Sequence, residues 1–271
     1  MNGMKSNDDI RSEIMPSISK DNVAREQFVK SFILDNKGLF GLLGDATVVF
    51  EKAIHRYNII TDALIFSELK GIIGVEIKTK NDSLSRLNKQ LKAYRAVADF
   101  AWVMCHDKHV DKVEKIIDDN GHIGVGIMSY TEFEGTLIVG VIREANTSPY
   151  KDARVVLDML WKSELKTILS PIRNGLDVFE YIKNHSSFEN KHSGGGGIEN
   201  HGASVTGSAP KRTIIEFIIG YLGTANASQL VCDMFRLGVM DASKVITRHY
   251  FRVIDKDKLI ERSFIDDEES R

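Results

Sequence analysis

Cysteine is nearly absent: 271 residues carry two, Cys105 and Cys232. They stand far apart and make no metal-type spacing, so they are read as reduced thiols of a cytoplasmic protein. No apolar run approaches the roughly 18–20 residues that cross a bilayer. The first residues lack the apolar centre of a secretion signal, and no membrane association is expected. A strong charge of either sign is also missing. The net charge of -2 means that any nucleic-acid surface must be local. The glycine pairs Gly71…Gly74 and Gly124-Val125-Gly126 lack the spacing of a dinucleotide or P-loop fingerprint and read as strand glycines. What is present is ordinary for a globular chain, 42% apolar and 27% charged, with length for one large domain or two small ones.

Apolar spacing divides the chain. Residues 1–22 are polar and read as a frayed tail, and an α/β unit is expected over 23–184. Ala24, Phe28 and Phe32, widened by Val29 and Ile33, predict an amphipathic helix from Val23 to about Leu34. Leu84, Leu87, Leu91, Tyr94 and Ala98 predict a second, capped near Asn81–Ser83 and ending near Ala98. Strands are expected at Phe100–Cys105, His122–Met128 and Leu137–Ile142, with a helix over Val110–Ile117. Such alternation argues for an α/β layer. Ala153–Leu169 reads as one helix stopped by Ser170-Pro171, followed by another over about Leu176–Lys183. Residues 185–210, with Gly194–Gly197, read as a flexible linker.

The stretch from Thr61 to Tyr94 carries the chemistry. Residues 57–66 and 71–79 form two apolar, β-branched runs around a tip at Glu68-Leu69-Lys70, the pattern of a hairpin. With the tip centred on Leu69, antiparallel register sets Asp62 opposite Glu76 and Ile60 opposite Lys78. Glu76 and Lys78, two apart, share a face that Ile77 leaves. Two carboxylates so placed repel unless a proton or a cation lies between them. A hard divalent ion, Mg²⁺ or Mn²⁺, meets that need and activates water at a phosphodiester. Glu-x-Lys alone carries little: it recurs at Glu68–Lys70, Glu164–Lys166 and Glu189–Lys191, and such faces are commonly solvated ion pairs. Only the Glu76 copy has an acid on its partner strand and apolar flanks, Val75 and Ile77. Cys105, His106 and His109 lack a second ligand pair, which argues against zinc.

Asp62, then Glu76-Ile77-Lys78, then Gln90-Leu91-Lys92-Ala93-Tyr94 resembles the PD-(D/E)xK nuclease superfamily, with the Gln-x-x-x-Tyr helix of its RecB-like branch. With Asp82-Ser83-Leu84-Ser85-Arg86-Leu87 included, the run looks like the bacterial and phage Sce-locus family. Thr61 stands where the superfamily's name places Pro, and the match covers about residues 45–130. The resemblance implies a mixed sheet flanked by helices, with Asp62, Glu76 and the backbone of Ile77 as metal ligands. It implies that Lys78 serves the attacking water and that Glu51 and Gln90 complete the catalytic set. Arg86, Lys89 and Lys92, with Tyr94 on the same helix, are the expected contacts to DNA.

A small helical module is expected over 211–271. Two apolar helices, around Ile214–Leu222 and Leu230–Phe235, would precede a third capped by Asp241–Ser243. That third helix would bear a basic stripe of Lys244, Arg248 and Arg252, suited either to helix-turn-helix DNA binding or to protein docking and self-association. The expected function is a Mg²⁺- or Mn²⁺-dependent DNase. The competing readings are a catalytically idle DNA- or protein-binding chain that keeps the fold, and a phage or defence interaction protein.

Overall fold

The computed structural model describes residues 24–184, 206–238, 250–255 and 258–260. The expected tail, most of the linker, Lys244, Arg248 and the acidic C-terminal end lie outside the described residues. Helix α1 (Ala24–Asp35) leads through a 3-10 turn to strand β1 (Ala46–Phe50). A two-stranded ribbon of β2 (Ala53–Ile54) and β3 (Ile59–Ile60) follows, then the hairpin β4 (Ala63–Ser67) and β5 (Gly71–Lys78). Next come α2 (Leu87–Val97), β6 (Phe100–His106), α3 (Val110–Asp119), β7 (Gly126–Phe133) and β8 (Thr136–Arg143). Helices α4 (Ala153–Asp158), α5 (Lys162–Arg173), α6 (Val178–Asn184), α7 (Lys211–Leu222) and α8 (Thr224–Leu237) precede β9 (Tyr250–Asp255) and β10 (Lys258–Ile260).

The large strands make one mixed sheet in the order β10-β9-β1-β4-β5-β6-β7-β8. Pairing is antiparallel except at β5–β6 and β6–β7, where α2 and α3 supply the crossovers that parallel strands require. The hairpin register pairs Ala63 with Val75 and Ser67 with Gly71, so its continuation sets Asp62 against Glu76 as the tip position predicts. Along β5 the pleat divides two cores. Ile73, Val75 and Ile77 join α1 on one face. Ile72 faces the other with Leu64, Phe66 and Tyr94, in a core that also takes residues of α4 to α8. Gly74, Glu76 and Lys78 share the parity of Ile72 and so look toward α2.

Several sequence expectations give way. Helix α2 begins at Leu87, not near Asn81, because Asp82 accepts from the N–H and hydroxyl of Thr79 at 2.6 and 2.8 Å and closes a turn there. Residues 122–125 form a turn and β7 starts at Gly126. The expected single helix from Ala153 is two: Trp161 is extended, and its N–H is taken by the Glu164 carboxylate at 2.5 Å, which starts α5 afresh. Pro171 does not stop α5 but sits inside its last turn. One N–H bond is lost there, offset by burial of Leu169, Pro171 and Ile172.

The largest correction concerns the C-terminal stretch. Helices α7 and α8 form where apolar spacing places them, yet they are not a separate module. Phe235 stacks on Phe66 at 4.2 Å, and Thr47 donates to the carbonyl of Arg236 at 3.0 Å. Arg236 also pairs with Asp45 at 3.1 Å, and Arg154 grips Glu216 through two bonds of 2.7 and 2.9 Å. Arg252 is not on a helix: it lies in β9, in register with Thr47 of β1. The apolar faces expected to be free for docking are the inner wall of the core.

Candidate metal and phosphodiester site

The site forms where the open end of the β4–β5 hairpin meets α2. Glu76 is fully buried (0% exposed), and Lys78 is nearly so. The Lys78 ammonium contacts Glu76 Oε1 at 2.5 Å. The other oxygen, Oε2, is buried with no partner, as is Oε1 of Gln90. Asp62 lies just before β4, and its Oδ2 accepts the N–H of Ile77 at 2.7 Å. Tyr94, one helical turn beyond Gln90, fastens the two strands together. Its hydroxyl accepts from the N–H of Asp62 at 2.8 Å and donates to the carbonyl of Val75 at 3.0 Å.

The electrostatics are those of a site short of positive charge. Burial and then the charge of neighbouring Glu76 push the Asp62 carboxyl up to about 8, against the lowering effects of the Ile77 N–H and of Lys78. Burial also raises Glu76, against the lowering effect of the Lys78 ammonium and of the Tyr94 hydroxyl. Tyr94 is raised by its own burial and then by the charges of Glu76 and Asp62. A group of carboxylates whose ionisation is opposed, with a buried oxygen lacking any donor, suits a divalent cation. Among the described residues no three His, Cys, Asp or Glu side chains cluster closely enough to hold an ion by themselves. Asp62, Glu76 and the backbone of Ile77 are the groups that could hold a hard divalent ion such as Mg²⁺ or Mn²⁺, with waters and substrate oxygens filling the rest of its shell.

Glu51 stands at the end of β1 in the left-handed region, at φ 57°, and its N–H reaches the carbonyl of Asp62 at 3.4 Å. Its exposed side chain meets the ammonium of Lys30 at 3.3 Å. Lys30 also holds Glu26 at 2.8 Å, and Glu26 lies close enough for its charge to raise both Asp62 and Glu76. Glu26 was missed in the sequence because α1 shows only an apolar stripe and an acid beside it looks like a solvated surface residue. Arg86, Lys89 and Lys92 are exposed along α2, open to phosphates. Tyr94 is 1% exposed and cannot touch nucleic acid. Its ring fills the space over Gly74, and its hydroxyl is spent on the hairpin.

Fold and site together define a mixed α/β protein with an acidic, lysine-bearing centre buried between a hairpin and a crossover helix. The chain belongs to the bacteriophage P4 protein cII family, whose sequence profile matches residues 19–193. That span contains Glu26, Glu51, Asp62, Glu76, Lys78 and Gln90. It is similar to "Protein cII" of Enterobacteria phage P4, at 27% identity over 146 residues, 54% of this chain and 53% of the relative. The chain thus spans about half the length of the curated relative it matches. No solved structure matches it. Among the described residues no single helix is long and apolar enough to cross a membrane.

Proposed function

We propose that this protein is a Mg²⁺- or Mn²⁺-dependent DNase of PD-(D/E)xK type, hydrolysing phosphodiester bonds at Asp62, Glu76 and Lys78. The observation that carries the reading is the meeting of half-buried Asp62 with fully buried Glu76, whose charges oppose each other while Glu76 Oε2 makes no hydrogen bond. Asp62, Glu76 and the carbonyl of Ile77 would hold the ion, which supplies Lewis acidity and a water of lowered pKa. Lys78 holds Glu76 in place and puts an ammonium where negative charge develops on the phosphoryl oxygens. Tyr94 positions the two strands, and Arg86, Lys89 and Lys92 hold the DNA backbone by charge. DNA is the expected partner.

One feature favours a second reading, a catalytically idle chain that binds DNA or protein: Lys78 already neutralises part of Glu76 without any ion. Incubation of the full chain with single- and double-stranded DNA, with and without Mn²⁺, separates the two. Cleavage that needs the ion and is lost in Asp62→Asn supports the nuclease. DNA retention without cleavage in any divalent metal supports the idle reading.

A further inference from the structure

On one side the mixed sheet ends at β8, which pairs with β7 and with no other strand among the described residues. The two strands are joined by Glu134-Gly135, with φ of 48° and 77°, a tight turn of the primed type. Such a turn closes on a hydrogen-bonded pair, here Phe133 and Thr136, and bonded pairs then alternate along the ladder. Thr136, Ile138 and Gly140 therefore bond inward to β7. The N–H and C=O groups of Leu137, Val139 and Val141 point away from the sheet. None of these groups meets a backbone partner among the described residues.

Strand edges are ordinarily guarded by charge, proline or a bulge. From Gly135 to Ile142 this edge holds neither charge nor proline. Its register shift, opposite Ile127 and Met128, falls beyond Val141 and leaves Leu137 to Val141 regular. Leu137 and Val139 pack toward the α1 core. Ile138 and Ile142 emerge on the other face, 56% and 48% exposed, and Phe133 beside the turn is 59% exposed.

The strand is complementary to itself. Turned end for end about Val139, its outward groups fall on those of a second β8: Val139 meets the partner's Val139, and Leu137 meets the partner's Val141. Between these pairs Ile138 comes opposite the partner's Gly140. Directly opposite residues on one face stand about 5 Å apart, and a Cβ on Gly140 would find nothing within 4 Å. Gly140 thus leaves the room that a facing Ile138 fills, and the two-fold axis repeats the fit. A slip of one residue would set outward groups against inward ones and lose the bonds.

We infer that β8 is a dimerisation edge, through which two copies of this chain pair antiparallel over Leu137 to Val141, centred on Val139. The sheet then continues from one chain into the next. The inference stands apart from the nuclease reading, since β6 and β7 separate β8 from the strand that carries Glu76.

The test follows the full chain, without divalent metal or DNA, by sedimentation equilibrium from about 1 to 100 μM, a span suited to a small interface. Wild type should pass from monomer to dimer. Ile138→Lys puts an ammonium on the paired edge and should raise the dissociation constant about ten-fold or more. Val139→Pro removes an outward N–H and no bond to β7, and should act alike. Far-UV circular dichroism checks the fold of both, and if one misfolds the other decides. A disulfide reads the register. Val139→Cys should link to its own copy on air oxidation, because opposed Cα atoms about 5.5 Å apart suit that bond. Ile60→Cys, 64% exposed on the β2–β3 ribbon, should not, and the native Cys105 and Cys232 are buried. A wild type that stays monomeric throughout, a dimer that the folded variants retain, or equal linkage at positions 139 and 60 overturns the inference. Neither cleavage nor metal binding is read, so its failure is distinct from failure of the nuclease reading.

Discussion

The hydroxyl of Tyr94 accepts the backbone N–H of Asp62 at 2.8 Å, so a side chain on the crossover helix holds the main chain that presents a candidate metal ligand. The same hydroxyl donates to the carbonyl of Val75, one residue before Glu76. Tyr94→Phe keeps the ring and strands both backbone groups. Each unsatisfied group costs about 1–3 kcal/mol. Denaturant unfolding should therefore show a clear loss of stability, and calorimetry should show weaker Mn²⁺ binding. Undiminished Mn²⁺ affinity would remove the positioning role.

The metal itself is tested at Asp62. Asp62→Asn should lose Mn²⁺ binding by calorimetric titration and lose cleavage with it, while far-UV circular dichroism stays that of wild type. Equal affinity in the two proteins would remove the metal-site claim.

Lys78 and Arg86 separate chemistry from binding. Lys78→Ala should cut DNA at least about a hundred-fold more slowly with affinity changed only a few-fold. It should also be less stable by about 3–5 kcal/mol, because Glu76 is left buried and unpaired. Arg86→Ala should instead weaken DNA binding and lower its salt slope by about one. A Lys78→Ala protein that cuts at the wild-type rate would refute the catalytic assignment.

Gly74 is required by contact. A Cβ there would run into Cδ1 of Tyr94 and stand 3.1 Å from Cε1. Gly74→Ala should push Tyr94 off the hairpin, at a cost of about 1–3 kcal/mol, and reproduce the metal-binding loss of Tyr94→Phe. Full stability and metal affinity in Gly74→Ala would show that the ring has room to move.

The acid limb of stability should depend on His122. Burial, then the charges of Arg95 and Lys92, push its titration down from 6.5 to about 4. Below 6.5 the unfolded chain takes up a proton that the fold refuses, so this stabilisation is complete above 6.5 and is lost as pH falls through about 4. Asp62, held up at about 8, acts with opposite sign: its contribution is present below 3.8 and is lost as pH rises through 8. Comparing urea unfolding of wild type and His122→Gln across this range isolates the histidine. The variant should lose less stability than wild type on acidification, and parallel curves would remove His122 as the cause.

Local pattern was enough for the hairpin. Two apolar runs around a tip centred on Leu69 set its register, and with it the meeting of Asp62 and Glu76 and the face that Lys78 shares. Helical spacing likewise located α1, α3, α7 and α8, because an amphipathic stripe records which side of a helix leaves water. The family resemblance supplied what spacing could not, the roles expected of Gln90 and Glu51.

Tertiary structure decided the rest, because it depends on partners far away in the chain. Arg252 and its basic neighbours look helical in isolation, but β9 is a strand because the edge of β1, some 200 residues earlier, is there to pair with it. Helices α7 and α8 are apolar in sequence whether they dock on a partner or on their own sheet; only Phe66, Thr47 and Asp45 show that they do the latter. Tyr94 belongs to the apolar stripe of its helix in sequence, but only Gly74, which leaves room beneath the ring, shows that it fastens the hairpin and does not reach DNA. Glu26 gains meaning only from the charge that folding brings beside it. A sequence records where side chains emerge along each element; the energy of a buried charge depends on what faces it across the core.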